Sequence, residues 1–170
     1  EQVVAQVRDL SLALRPSLLD DFGLPAALKW LVKQHTQRGG LKINLRLEPW
    51  ETRPTSEIET VCFRVAQEAL TNVVRHSQAT QARVVLRRNK NVLYMEIRDN
   101  GIGFDLYEAL KCASGGDSLG LLGMKERAVL AGGHVEIETA PGTGTTVRAY
   151  FPMDPNTPYI ERRARRRKTK

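Results

Sequence analysis

Apolar and polar positions divide this chain into four helical and five strand-like segments. Residues 1–15, EQVVAQVRDLSLALR, place Val3, Val7, Leu10 and Leu14 on a heptad-like stripe. That stripe fits an N-terminal helix packed on its own domain, or a cut piece of a longer coiled coil. Pro16 ends or kinks it. GLPAALKWLVKQHTQRGG predicts a second helix, with Pro25 in its first turn and Gly39-Gly40 at its stop. LKINLRLEPW alternates Leu41, Ile43, Leu45 and Leu47 with polar residues, the pattern of a half-buried strand. Ser56, just after Pro54 and three residues before Glu59, reads as a capping box. It opens a third helix whose buried stripe is Ile58, Val61, Cys62, Val65, Ala69 and Val73 and which runs to about His76.

ARVVLRR and VLYMEIRD read as strands joined by the polar turn NKN. Residues 101–118 show neither period and predict a long loop. LGLLGMKERAVLAGG predicts a fourth helix ended by Gly132-Gly133, and HVEIETA and TTVRAYF predict strands around the tight turn PGTG. Residues after Pro152 have no period and predict disorder. This order gives an α+β fold, a two-layer α/β sandwich with a mixed sheet and its helices on one face. It is not a βαβ repeat, so the glycines do not read as a dinucleotide-binding motif.

Composition changes this picture little. The length suits one well-buried domain. No apolar run approaches the roughly 18 residues of a membrane span. The first residues lack a Met and a signal-like segment, so the chain reads as a piece of something longer. Cys62 and Cys112 have neither disulfide-framework nor zinc spacing, which points to a reducing compartment. The net charge of +7 invites a nucleic-acid reading. Yet ERRARRRKTK at the C-terminus carries seven of the 26 basic residues and one of the 19 acids, leaving 19 and 18, or +1, for the rest. The positive charge is a tail and not a face.

Four stretches carry candidate chemistry. DNGIGF, residues 99–104, follows a strand; it is either a hairpin turn or the floor of a site. No second strand follows at once, which favours a binding loop. An ionised Asp99 accepts hydrogen bonds only, and Gly101 and Gly103 let a flat ring approach the backbone. In QEALTNVVRH, residues 67–76, Glu68, Asn72 and His76 recur every fourth residue along one helix edge, with Arg75 beside them. They are either a solvated edge or oxygen and cationic groups suited to Mg²⁺ and phosphate. In SLGLLGMKERA, Gly120 and Gly123 sit where loop becomes helix, either for packing or for phosphate binding at a helix start. PGTGTT, residues 141–146, is a hairpin turn that can also set the Thr145 hydroxyl at the base of a pocket.

In order and spacing together, E-x-x-x-N, D-x-G-x-G, G-x-x-G-M and G-T-G-T resemble the ATP-binding domain of sensor histidine kinases. That is the Bergerat (GHKL) fold, shared more distantly with gyrase, Hsp90 and MutL-type ATPases; the match covers roughly residues 40–152. VRDLSLALRPSLLDDFGLPAAL, QEALTNVVRHSQA and GLLGMKERA resemble the subfamily of nitrate sensors and the membrane thermosensor, and extend the match to nearly everything but the tail. The resemblance implies three parts: residues 1–23 as the remnant of a second dimerisation helix and its connector, 24–152 as the ATP-binding catalytic domain, and 153–170 as a basic tail. It implies ATP and Mg²⁺ as cofactors. Asp99 would bind the adenine amino group, with Thr145 nearby through water. Asn72 would hold Mg²⁺, and Glu68 would be the general base or would orient the accepting histidine. Arg75 and His76 would meet phosphate, and Gly101 and Gly103 would flank the adenine. Gly120, Leu121, Gly123 and Met124 would edge a lid formed by residues 104–119.

The implied activity is transfer of the ATP γ-phosphoryl to a histidine on a dimerisation helix. The implied partners are the parent chain's own phosphoacceptor domain and a response regulator with a helix-turn-helix output domain, in a cytoplasmic setting. His35, His76 and His134 all lack the acid that follows the family's acceptor histidine, so the acceptor helix is expected outside this chain. Arg75 replaces the Lys common in the subfamily. Other readings are a protein-serine kinase of the anti-sigma type, a standalone ATPase, or a binding module that uses the tail.

Overall fold

The computed structural model describes residues 17–49, 52–111 and 117–153. The expected first helix and the basic tail lie outside these residues. Helix α1 (Ser17–Gly39) is broken at Gly23, where φ is 75° and ψ is 177°. Leu24 and Pro25 restart it, since Pro is pre-organised for a first helical turn. Strand β1 (Lys42–Leu47) follows. Helix α2 (Ser56–His76) crosses to β2 (Gln81–Asn89), which pairs parallel with β1. Strand β3 (Val92–Asp99) returns antiparallel through a turn in which Lys90 has φ 55°. Two helices then precede the last hairpin: α3 (Leu106–Lys111) and α4 (Asp117–Leu130). The hairpin is β4 (His134–Thr139) and β5 (Thr145–Pro152), and the sheet order is β1-β2-β3-β5-β4.

Alternation along the strands sorts the two faces. Val84, Leu86, Leu93, Met95, Ile97, Val147, Ala149 and Phe151 point to the helices and are buried with Leu28, Phe63, Leu70 and Met124. The other face stays polar. There Arg148 bridges Glu96 at 3.2 Å and Glu138 at 2.6 Å, and the Tyr94 hydroxyl donates to Glu96 at 2.7 Å. The two-layer α+β sandwich expected from the sequence is therefore the fold observed.

Three local expectations change. The N-cap of α2 is Thr55 and not Ser56: the Thr55 hydroxyl accepts from the Ile58 N–H at 3.4 Å. Glu59 serves no capping box, because its carboxylate is buried against Arg53. The segment 101–118 contains α3, six residues too short to display a helical period in the sequence. Helix α4 begins at Asp117, so Gly120 and Gly123 lie within its first turns and not at a loop junction.

Thr55→Ala is expected to cost about 1 kcal/mol of stability, and Thr55→Ser to keep most of the cap. Urea unfolding of both variants reads this; an unchanged midpoint for Thr55→Ala would return the cap to Ser56.

Candidate functional site

Asp99 ends β3, on the inward face that Met95 and Ile97 share with it, and is 4% exposed. Its Oδ1 accepts the Gly101 N–H at 2.7 Å, and the Thr145 backbone N–H lies near enough to favour the charged form. Among the described residues it has no counter-cation. Burial raises its pKa above the ordinary 3.8, and these N–H donors oppose the shift without cancelling it.

The chain around Asp99 is packed backbone to backbone. Gly144, at φ 72°, lies so close to the Asp99 carbonyl that any Cβ there would overlap it. Gly101 is set equally close to the Ser77 carbonyl, and Gly103 to that of Ala140. Ile102 completes the seam, its N–H donating to Ser77 at 2.8 Å and its carbonyl accepting from Gly142. Asn100 faces the other way; its Oδ1 accepts from the Thr80 and Gln81 N–H groups at 3.1 and 2.9 Å and so holds the α2–β2 loop.

Over Asp99 opens a cavity of about 270 Å³ between the sheet, α2 and α4. Its walls are mainly apolar and include Val73, Ile97, Phe104, Met124 and Val147. Asn72, His76 and Thr145 supply polar groups at its margins. The Thr145 hydroxyl shares a hydrogen bond with Thr139 at 3.2 Å. Asn72 donates through Nδ2 to Glu68 Oε1 at 3.3 Å, which leaves its carbonyl oxygen without a hydrogen-bond donor among the described residues. One neutral oxygen beside a carboxylate suits a hard cation that takes its other ligands from water and phosphate. No group of three or more His, Cys, Asp or Glu with metal-binding geometry exists among the described residues.

Of the residues singled out from the sequence, Asn72, His76, Asp99, Gly103, Leu121, Met124 and Thr145 line the cavity. Gly101 lies behind Asp99. Glu68 is one turn before Asn72, and Gly120 of α4 rests directly on its carboxylate, where a Cβ would overlap Oε1. Arg75 is exposed at the end of α2. Gly123 faces the guanidinium of Arg127, away from the cavity. Sequence reasoning missed Ser77, Ile97 and Val147 as lining residues, and had Phe104 only as the end of DNGIGF and the start of the lid. Strand parity contains part of the signal: Ile97 and Val147 lie two residues from Asp99 and Thr145 and must share their face.

Comparison with known proteins decides the family. Residues 57–155 match the family of histidine kinase-, DNA gyrase B- and HSP90-like ATPases. The chain belongs to that family. The oxygen sensor histidine kinase NreB of Staphylococcus carnosus is 40% identical over 152 residues, 89% of this chain and 43% of that protein. The chain thus spans less than half the length of this relative. Among solved structures, the histidine kinase domain of the Erythrobacter litoralis EL346 blue-light kinase aligns with a TM-score of 0.63 at 20% identity, covering 76% of this chain and 61% of that one. The Acinetobacter baumannii histidine kinase AdeS aligns with a TM-score of 0.63 at 17% identity, covering 90% and 80%. At such identities the structures speak for the fold. This is the ATP-binding catalytic domain found in two-component sensor kinases.

Because the folded-state pKa of Asp99 is raised, the domain loses stability as pH rises through it, relative to a neutral side chain. Asp99→Asn is expected to be more stable than the parent near pH 7, with the gain shrinking as pH falls below the ordinary aspartate range. Urea unfolding near pH 7 and near pH 3 measures it. A difference that does not vary with pH would show that ionised Asp99 carries no burial penalty.

Proposed function

We propose that this domain binds Mg·ATP with the adenine amino group on Asp99, and serves the transfer of the γ-phosphoryl to a histidine of its parent protein. The observation that carries the reading is the carboxylate of Asp99, buried at the floor of an apolar cavity and without a counter-cation among the described residues. A flat aromatic base would lie between Val73, Ile97, Phe104 and Met124, and its exocyclic N–H₂ would add a donor to the Gly101 N–H that the carboxylate already accepts. Thr145 stands beside this contact. The phosphates would then run outward past Asn72, Arg75 and His76 toward Glu68, under the lid edge of Gly120, Leu121, Gly123 and Met124. Mg²⁺, held by the Asn72 carbonyl oxygen, would supply neutralisation of phosphate charge.

In the transfer, the bond from γ-phosphorus to the bridging oxygen breaks and a phosphorus–nitrogen bond to the imidazole forms. Most of the catalysis is positioning and charge neutralisation. Glu68 would take the imidazole proton or orient the ring. The phosphoacceptor is expected on a dimerisation helix, and the phosphorylated histidine would pass its group to a response regulator. The setting would be cytoplasmic; no described helix is long and apolar enough to cross a membrane.

Calorimetric titration of a non-hydrolysable ATP analogue, with and without Mg²⁺, tests the nucleotide site. Saturable binding to the parent and its loss in Asp99→Asn are expected; equal binding by both would remove adenine from Asp99. Incubated alone with ATP, the chain is expected to acquire no acid-labile phosphate. With an added acceptor domain it should support phosphorylation of that domain, and Glu68→Gln should lower the rate at least tenfold, within the usual span of general-base effects. Phosphate appearing on this chain by itself would overturn the division of labour.

A further inference from the structure

The break in α1 is held from both sides by one ion pair. A helix that stops leaves carbonyl oxygens unbonded, and one that starts leaves N–H groups unbonded. At Gly23 the chain does both. Arg53, in the β1–α2 connection, donates through Nη2 to the carbonyls of Leu19 at 2.8 Å and Asp20 at 3.2 Å, the end of the first helical arm. Glu59, in the first turn of α2, accepts from the Leu24 N–H at 3.3 Å, the start of the second piece. The two side chains are tied to each other, Nε to both carboxylate oxygens at 3.0 Å and Nη2 to Oε2 at 2.8 Å. Glu59 is only 2% exposed, and Leu19 and Leu24 beside it are buried. A Cβ on Gly23 would come within 3.3 Å of Glu59 Oε1, and its φ of 75° already disfavours other residues.

This arrangement does more than cap a helix. Glu59 is rooted in the same rigid helix as Glu68 and Asn72, about two and a half turns earlier than Glu68. The guanidinium fork fixes direction as well as distance, because its N–H donors are held in a rigid plane. We propose that Arg53 and Glu59 are positioning residues: their ion pair sets the angle between the arm Ser17–Phe22 and α2, and thereby how the dimerisation helices to which the arm leads, with the acceptor histidine on the other helix of the pair, stand toward Glu68. The inference rests on the phosphotransfer reading above for its consequence, but not for its geometry.

The ion pair has an ordinary alternative role, holding the fold together, and the test separates the two. Replacing only one partner leaves a buried charge or unmet carbonyls and lowers stability. The double variant Arg53→Met/Glu59→Gln removes both charges, keeps an acceptor for the Leu24 N–H and is expected to stay folded; without the fork the Leu19 and Asp20 carbonyls lose their donor, a loss that urea unfolding of the same variant reads. In the full-length parent kinase it should keep its affinity for a non-hydrolysable ATP analogue and its KM for ATP. Its kcat for autophosphorylation should fall about 10- to 100-fold, as misplacement of reacting groups does; Arg53→Lys should fall between. A double variant with parental kcat, or with analogue affinity lost in step with kcat, would overturn the proposal. A second readout needs no phosphotransfer. Spin labels on Phe22→Cys and Val129→Cys, both exposed positions, in a Cys112→Ser background should give a narrow distance distribution in the parent and a broad one in the double variant. Equally narrow distributions would also overturn it. If the unmodified kinase gains no phosphate while the distributions differ as expected, the joint stands and the phosphotransfer reading fails.

Discussion

Asp99 lies inside the domain with its charge met by N–H groups alone, and much of the local architecture serves that placement. An unpaired buried carboxylate is costly, and it persists only where the surrounding backbone supplies donors and a ligand supplies the rest. The donor is the Gly101 N–H, with the Thr145 N–H close by. Delivering them requires the β4–β5 turn to press on the end of β3, which Gly144 permits, and the loop after α2 to press on Gly101. The order β3-β5-β4 puts that turn beside Asp99 and not at a far edge of the sheet. The sheet topology, the glycine positions and the cavity are thus one solution to one electrostatic requirement.

Glu59 gives the contrasting case. Both acids are almost fully buried. Glu59 has a guanidinium against it, and its geometry is complete within the protein. Asp99 has none among the described residues, and lies at a cavity. Burial alone does not separate a structural acid from a binding one; the counter-charge does. On the proposed reading, the same comparison favours a neutral donor group in the cavity. A cation would meet Asp99 favourably but would lose its hydration against apolar walls of Val, Ile, Phe and Met. An amino group on a flat base brings hydrogen-bond donors without that loss.

Much of this was legible in the sequence because it is written in short periods. The α2 stripe, the alternation of β1 to β5 and the glycine stops follow from side-chain geometry within each element. The i, i+4, i+8 spacing of Glu68, Asn72 and His76 is equally local, and the helix delivers the first two in contact and the third to the cavity. What was not legible depends on partners distant in sequence. Thr55 against Ser56 as cap turns on where Glu59 goes, and Glu59 is claimed by Arg53 and by Leu24, 35 residues away. Helix α3 spans less than two turns and cannot reveal a period. Val147 was half legible, since strand parity puts it on the face of Thr145, while Ser77 becomes a lining residue only once the loop after α2 folds against Gly101, which no spacing announces.

Gly120 shows how the two levels meet. Read along the chain, it was one of two glycines near a helix start, equally suited to packing or to phosphate. In the fold it is inside α4 and in contact with the Glu68 carboxylate. A side chain at this position would meet first the end of the Glu68 side chain, which can swing aside, so its effect falls on the Glu68–Asn72 hydrogen bond before it falls on the placement of α4. Leu121 and Met124, one residue and one turn further on, wall the cavity from the same helix. The glycine thus leaves room for the Glu68 carboxylate beside Asn72, and α4 carries that contact and the cavity wall together.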